Sequence, residues 1–206
     1  MGVTLSAGYS LNWVKHLLSP EESFQSLLEG AVDVAPGANG LLFTPYLVGE
    51  RTPHADSIIR GSLIGLDSRH ERAHVVRAVL EGITFSLNES IALFRQAGKH
   101  IDSIVSIGGG ARSRTWLQMQ ADIFQAEVIQ LDNEQGPALG AAMLAAVGAA
   151  GIRRLRHVQI SLFIKLEVYE PEQKHANLYA DLFHLYQQIY TQTRDIHAGL
   201  AQYRSI

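Results

Sequence analysis

The most informative stretch of the sequence is Ile107-Gly108-Gly109-Gly110-Ala111-Arg112-Ser113. The segment from Ile101 to Val105 precedes it, and its β-branched residues predict a buried strand. Four apolar residues follow it at helical spacing, namely Trp116, Met119, Ile123 and Phe124. The three glycines are therefore predicted to lie on a turn that connects a strand to a helix.

A glycine turn in this position suits an anionic or nucleotide ligand. Glycine allows positive φ and lets a ligand approach the main chain closely. The helix that follows directs its free N–H groups and the positive end of its dipole toward the turn. A tight connection that binds nothing is the alternative, and the glycines alone favour neither interpretation. The sequence is not a Walker loop, because no Gly-Lys-Ser/Thr follows, and it lacks the spacing of G-x-G-x-x-G.

Composition limits the classes of protein to consider. The 206 residues suffice for one large domain or two small ones, and a hydrophobic fraction of 47% can form a sizeable core. A net charge of −3 gives no field that favours nucleic acid or an anionic membrane. The absence of cysteine excludes disulfides and fits a reducing compartment. No apolar run has the length of a membrane span, so we expect a cytoplasmic protein.

Hydrophobic periodicity predicts intermixed helices and strands, which indicates the α/β class. Helices are predicted over 11–18, 24–28 and 68–96, in an alanine-rich segment at 138–150, and from Pro171 onward. Strands are predicted over 41–46, 61–66, 127–131 and 162–168. The buried face of the first helix is predicted to contain Trp13, Val14, Leu17 and Leu18. That of the last helix is predicted to contain Leu178, Leu182, Leu185, Ile189 and Tyr190.

Two polar segments are candidate sites. His70-Glu71-Arg72-Ala73-His74 matches the H-E-x-x-H pattern of zinc proteases. We predict no metal there, because Ser68 and Glu71 have the spacing of a capping box and no third ligand is marked. The loop from Gly49 to Asp56 is the second segment, and it is too rich in charge for a core. Its favoured interpretation is a surface turn in which Glu50 and Arg51 pair with each other or with neighbours.

Several segments, taken together, resemble the C-terminal half of the FGGY family of carbohydrate kinases. The resemblance covers nearly the whole chain and rests on four stretches that occur in the family's order. These are Phe43-Thr44-Pro45-Tyr46-Leu47-Val48-Gly49-Glu50-Arg51-Thr52-Pro53-His54, the region from Gly61 to Gly82, Gly108-Gly109-Gly110-Ala111-Arg112-Ser113, and Gly136-Pro137-Ala138-Leu139-Gly140-Ala141-Ala142.

The resemblance implies an actin-like ATPase domain of the ribonuclease H-like type. It also implies an ATP-dependent sugar kinase that acts on a pentulose, with D-xylulose as the expected substrate and gluconate or another sugar as the alternative. By position, it implies that the residues contacting ATP or ADP are Gly8, Asn12, Gly109, Gly110, Ala111 and Arg114. Asn12 and Arg114 depart from the residues that some relatives carry, so the glycines are the firmer part of this set.

The resemblance also implies that much of the kinase lies outside this chain. The catalytic aspartate, the Mg²⁺ ligands and most sugar contacts are expected upstream, so no catalytic residue is assigned here. The chain is expected to be a truncated kinase that spans the nucleotide-side domain over residues 1–206. A half-site of this kind should bind nucleotide weakly, and Gly110→Val should abolish binding without unfolding the chain. The alternative class is a non-catalytic interaction module, with self-association into a homodimer through the exposed cleft face.

Overall fold

The computed structural model describes residues 1–132, 140–142, 144, 145, 148 and 165–204. Five helices are delimited within these ranges: α1 (Ala7–Leu18), α2 (Phe24–Glu29), α3 (Arg72–Gln96), α4 (Arg114–Phe124) and α5 (Gln173–Ala201). The strands are β1 (Leu42–Thr44), β2 (Ser62–Ile64), β3 (Ser103–Ser106), β4 (Glu127–Leu131) and β5 (Lys165–Tyr169). Short 3₁₀ helices cover Ala38–Gly40 and Gly109–Arg112. The predicted α/β class is confirmed.

Helix α3 is the centre of the core. Its residues are buried without interruption from Val76 to Ser86, so it is covered on all sides rather than along one stripe. Helices α1, α4 and α5 and strand β1 all pack on it. Gly82 permits the contact with β1, because a Cβ at this position would overlap the main-chain carbonyl group of Phe43.

The structure has two small sheets, one formed by strands that precede α3 in the sequence and one by strands that follow it. Strands β1 and β2 pair antiparallel, with Phe43 opposite Leu63. Strand β4 lies between β3, to which it is parallel, and β5, to which it is antiparallel. The crossover from β3 to β4 contains the glycine turn and α4, which is the βα arrangement that the sequence predicts. Strand β3 is less buried than predicted, since Val105 is 47% exposed.

The predicted core faces of α1 and α5 are partly wrong. On α1 the buried side chains are Ser10, Leu11 and Val14, whereas Leu17 is 63% exposed. On α5, aromatic residues fill the core in place of the predicted leucines. The buried side chains there include Tyr179, Tyr186 and Ile189, whereas Leu178 and Leu185 are exposed.

Tyr179 is buried on α5 because its neighbours accommodate the polar end of the ring. The Tyr179 hydroxyl accepts a hydrogen bond from Arg77 at 2.8 Å and donates one to Glu81 at 3.0 Å. A tyrosine with such partners contributes a large apolar surface without leaving its hydroxyl unpaired. The predicted alanine-rich helix at 138–150 lies mostly outside the described residues. No helix in the described part of the chain has the length and apolar character needed to cross a membrane.

Candidate functional site

The glycine turn lies between β3 and α4. Gly108 has φ of 86°, which favours glycine, and its carbonyl accepts a hydrogen bond from the Ala111 N–H at 3.0 Å. Residues 109–112 form one turn of 3₁₀ helix, and the Ser113 hydroxyl then caps α4 by accepting from the Trp116 N–H. The N–H groups of Gly109 and Gly110 donate to no other described residue. Within the described part of the chain, the turn therefore has two main-chain donors without a partner.

The glycines at 109 and 110 serve different purposes. Gly109 is exposed, and a Cβ built on it would meet no atom within 4 Å. A Cβ on Gly110 would lie 2.8 Å from the buried Trp116 ring, so this residue is small because the indole packs against it. The expectation that Gly110→Val leaves the fold intact is therefore wrong, since the added side chain must displace Trp116. Gly109 is the position at which ligand and fold can be tested separately.

The two other predicted contacts near this turn differ in accessibility. Ala111 is 1% exposed, and its carbonyl accepts from the Gln130 side chain at 2.7 Å. With its N–H also bonded, Ala111 fixes the turn but has no free polar group for a ligand. Arg114 is the first residue of α4, and its side chain is 81% exposed at 3.5 Å from Glu167. Its guanidinium is thus free to move toward an anion beside the turn.

Gly8 and Asn12 lie one turn apart on the exposed face of α1. A Cβ on Gly8 would meet nothing within 4 Å, and the Asn12 side chain bonds to no other described residue. The N–H groups of residues 7, 8 and 9 also lack partners within the described ranges, as expected for the first turn of a helix. Among the described residues, the N-terminal end of α1 therefore has main-chain donors without partners, next to the open space at Gly8.

Helix α3 connects the two groups of predicted nucleotide contacts, one at the glycine turn and one on α1. Helix α1 packs on one part of α3, while α4 is joined to it by the Trp116 indole, whose Nε1 donates to Thr84 Oγ1 at 3.0 Å. Trp116 in turn lies beneath Gly110. The glycine turn and α1 thus both rest on α3, whose middle is buried.

The charged loop is a surface turn as its composition indicates, with Arg51, Pro53 and Ala55 exposed, but Glu50 departs from this prediction because it is only 2% exposed. Its carboxylate accepts four hydrogen bonds, from the Leu5 and Arg51 N–H groups and from the Thr4 and Ser86 hydroxyls. Charge density suggested exposure, but a carboxylate that is fully hydrogen-bonded can be buried. Thr4 and Ser86 lie far from Glu50 in the sequence, so no local pattern reveals that their hydroxyls donate to it.

The same loop contributes His54 to a partly buried aromatic cluster. Its ring stacks on Tyr190 of α5 at a centroid distance of 3.7 Å, and Nε2 lies 3.6 Å from the buried Glu89 carboxylate. The Tyr190 hydroxyl donates to Asp56 at 3.1 Å. These contacts attach the loop to α3 and α5, and the His54 side chain remains 13% exposed.

The H-E-x-x-H residues are used in local hydrogen bonding. Helix α3 begins at Arg72, so His70 precedes the helix and does not share a helical face with His74. Nδ1 of His70 accepts from the Asp67 N–H, and Nδ1 of His74 accepts from the Glu71 N–H. The predicted capping box of Ser68 and Glu71 is therefore wrong, because Glu71 is itself the N-cap and His74 its partner.

A groove of about 360 Å³ lies between α3, α4 and α5, away from the glycine turn. It is lined by Asn88, Ala92, Arg95, Gln96, Asp122, Ile123, Gln125, Ala176, Tyr179, Ala180 and Phe183. Its two charged side chains are already engaged: Asp122 bonds His175 and the Glu172 N–H, while Arg95 donates to the Phe124 carbonyl. Asn88 Oδ1, in the same lining, is buried and has no hydrogen-bond partner among the described residues.

Comparison with known proteins identifies the family. The model of the C-terminal domain of the FGGY family of carbohydrate kinases matches residues 1–149. The chain belongs to the FGGY family of carbohydrate kinases. A xylulose kinase of Bacillus subtilis is 57% identical over 204 residues, which cover 99% of this chain and 41% of the relative. The chain thus spans about two fifths of the length of this curated relative.

Solved structures of FGGY kinases confirm the fold. A ligand-bound xylulose kinase from Lactobacillus acidophilus superposes with a TM-score of 0.88 at 30% identity, covering 95% of this chain and 40% of that one. A gluconate kinase from the same organism gives a TM-score of 0.85 at 31% identity, covering 92% and 39%. The chain therefore has the actin-like fold of the C-terminal domain of FGGY kinases, as the resemblance implied.

Proposed function

We propose that this chain is the nucleotide-side domain of an ATP-dependent sugar kinase, with its nucleotide half-site at the glycine turn and on the exposed face of α1. The observation that carries the proposal is the open space at Gly109, beside two main-chain N–H groups that have no partner in the described part of the chain. Glycine backbone of this kind accommodates a flat or anionic ligand at contact distance.

In this half-site each residue has a distinct role. The Gly109 and Gly110 main chain provides a wall against the nucleoside, and Ala111 holds that wall in place. Asn12 supplies a side chain that can donate and accept hydrogen bonds, and Gly8 leaves room for the ligand on α1. Arg114 contributes positive charge at the start of α4, where a phosphate is already favoured by the helix dipole.

We propose D-xylulose as the sugar that the complete kinase phosphorylates. Support comes from the xylulose kinase of B. subtilis, which is 57% identical over nearly the whole chain. Gluconate is the second candidate, because a gluconate kinase superposes almost as well as the xylulose kinase does. An assay of the full-length gene product with ATP and each sugar distinguishes the two, and phosphorylation of gluconate alone would reject D-xylulose.

The remaining parts of the reaction are assigned to sequence outside this chain. Within the described residues, no group of three or more histidine, aspartate or glutamate side chains has a geometry that could hold a metal ion. We assign the Mg²⁺ ligands and the catalytic residue to the upstream part of the kinase, and none to the residues described here. ATP supplies the transferred phosphoryl group, and this chain's contribution is to bind and orient the nucleotide. The cytoplasm is the proposed location, in line with the absence of cysteine.

The half-site is tested by ADP binding to the 206-residue chain with valine at Gly109. We expect the wild type to bind with a dissociation constant on the order of 0.1–1 mM, since only part of the complete site is present. ATP should bind no more tightly than ADP, because the γ-phosphate has few partners here. Gly109→Val should remove detectable binding, because the isopropyl group occupies the space proposed for the nucleotide.

A control substitution separates loss of the site from loss of the fold. Gly199 lies in α5 and is as open as Gly109, since a Cβ added there would also meet no atom within 4 Å. Gly199→Ala should leave ADP affinity unchanged. Equal ADP affinity in the wild type and Gly109→Val would contradict the proposal. It would then favour the second class of function, a non-catalytic module that associates with itself, for which light scattering would show a homodimer.

A further inference from the structure

Glu50 is a buried carboxylate. It accepts one hydrogen bond from the adjacent Arg51 N–H, and its other hydrogen bonds come from residues 4 and 5 and from α3. Oε1 accepts from the Leu5 N–H at 3.1 Å, and Oε2 accepts from the Thr4 hydroxyl at 2.8 Å and from the Ser86 hydroxyl at 3.3 Å. No arginine, lysine or histidine side chain of the described residues pairs with it. Desolvation of this charge is therefore offset by donors that fix the main chain at residues 4 and 5.

A second pair of hydrogen bonds holds the same segment. The Val3 N–H donates to Thr52 Oγ1 at 3.0 Å, and the Thr52 N–H donates to the Val3 carbonyl, also at 3.0 Å. On the other side, Gly2 lies so close to Ser90 of α3 that a Cβ would overlap it. Residues 2–5 thus lie between the loop and α3 and contact both, although Leu5 is 44% exposed, and we call them the lead-in segment.

The lead-in segment determines where α1 begins. Ser6 follows it directly as the N-cap of α1, although its hydroxyl makes no capping bond. The start of this helix is therefore held by the main-chain bonds of residues 3 and 5 rather than by its own cap. Because a helix is stiff, a displacement at Leu5 is transmitted to Gly8 three residues later and to Asn12 one turn beyond.

We infer that Glu50 is a positioning residue for the nucleotide half-site: it fixes the lead-in segment and so sets the place of Gly8 and Asn12. This inference rests on the proposed function, because it matters only if the exposed face of α1 contacts nucleotide. This role accounts for the burial of Glu50 in a loop whose Arg51, Pro53 and Ala55 are exposed. A ligand held from two elements depends on their relative placement, and small displacements weaken it.

Glu81 provides a matched control for the loss of a buried carboxylate. It is 1% exposed and accepts from the Gly37 N–H at 2.9 Å, from Arg77 at 2.8 Å and from Tyr179 at 3.0 Å. These bonds join α3 to α5 and to the turn before β1, and none reaches the lead-in segment. Glu81→Gln therefore perturbs the core without acting on the start of α1.

The test compares Glu50→Gln with Glu81→Gln in the 206-residue chain. Calorimetry gives ADP affinity, urea unfolding gives stability, and amide exchange measured by NMR reports on residues 3–12. We expect Glu50→Gln to weaken ADP roughly three- to tenfold and to accelerate exchange at Leu5 and in the first turn of α1. Glu81→Gln should lose stability to a similar degree, while its ADP affinity stays within about twofold of the wild type.

A second variant covers the case in which Glu50→Gln does not fold. Thr52→Val keeps the shape of the side chain but removes the acceptor for the Val3 N–H, and it should weaken ADP in the same direction. Equal ADP affinity in the wild type and in both loop variants would overturn the inference, and so would equal losses in the Glu50 and Glu81 variants. A wild-type chain that binds no ADP would instead refute the proposed function, and the inference with it.

Discussion

Gly110→Ala should destabilise the chain through Trp116. The new Cβ would lie 2.8 Å from one ring atom of Trp116, and 3.1 and 3.3 Å from two others. Ordinary carbon contacts begin at about 3.4 Å, so the ring has to recede by about 0.6 Å. Trp116 is 5% exposed and its Nε1 is bonded to Thr84, which leaves it little freedom to do so. Overpacking of this kind costs about 1–3 kcal/mol.

Gly109→Ala is the matched control, one residue away in the same turn. Its Cβ meets nothing within 4 Å and its φ is not in the left-handed region, so the change should stabilise the chain by about 0.4–1 kcal/mol through the unfolded state. For a chain of this size, the Gly110 variant should melt about 2–12 °C below the wild type, and the Gly109 variant at or slightly above it.

Thermal unfolding followed by circular dichroism measures both variants. The indole N–H signal of Trp116 in a proton–nitrogen NMR spectrum gives a local readout, which should shift in Gly110→Ala and stay in place in Gly109→Ala. The reasoning would be refuted if the two variants had equal stability, or if Gly110→Ala left the Trp116 signal unchanged.

Two further substitutions test the electrostatics. Burial raises the pKa of the Glu89 carboxyl in the folded chain, and His54 opposes this shift. The protonated carboxyl therefore stabilises the fold at a pH below the pKa that Glu89 has in the unfolded chain. This stabilisation is lost as the pH rises through the pKa that Glu89 has in the folded chain. The unfolding free energy of Glu89→Gln should therefore increase relative to the wild type as the pH rises above 4.5, the ordinary pKa of this carboxyl, and a difference that does not change with pH would contradict this. Arg114→Ala should change stability by less than about 0.5 kcal/mol, because its ion pair with Glu167 is exposed. Its ADP affinity, measured by calorimetry, should fall roughly 1.5- to fivefold, whereas an unchanged affinity would remove Arg114 from the half-site.

The sequence predicted the elements well where local pattern and packing agree. The glycine turn, the helix after it and the strand at Glu127–Leu131 follow from periodicity and from glycine chemistry, and the structure has all three. The long α3 is also predicted, although its first turn begins at Arg72 rather than at Ser68. Signals of this kind depend on residues that are close in sequence.

The sequence failed where contacts between distant residues decide the outcome. Tyr179 is buried in place of Leu178 because its hydroxyl accepts a hydrogen bond from Arg77 and donates one to Glu81, about a hundred positions earlier in the sequence. Glu50 is buried because Thr4, Leu5 and Ser86 donate to it. For the half-site, the sequence marked three glycines alike, and only the position of the Trp116 ring distinguishes Gly110 from Gly109.

Chemical-shift mapping of ADP on the isotope-labelled chain tests the central claim most directly. If the glycine turn and α1 form one nucleotide half-site, amide signals of Gly8, Asn12, Gly109 and Arg114 should shift together and saturate with a single dissociation constant, on the order of 0.1–1 mM. The claim would be contradicted by shifts that do not saturate, by shifts in only one of the two segments, or by shifts centred on the groove between α3, α4 and α5.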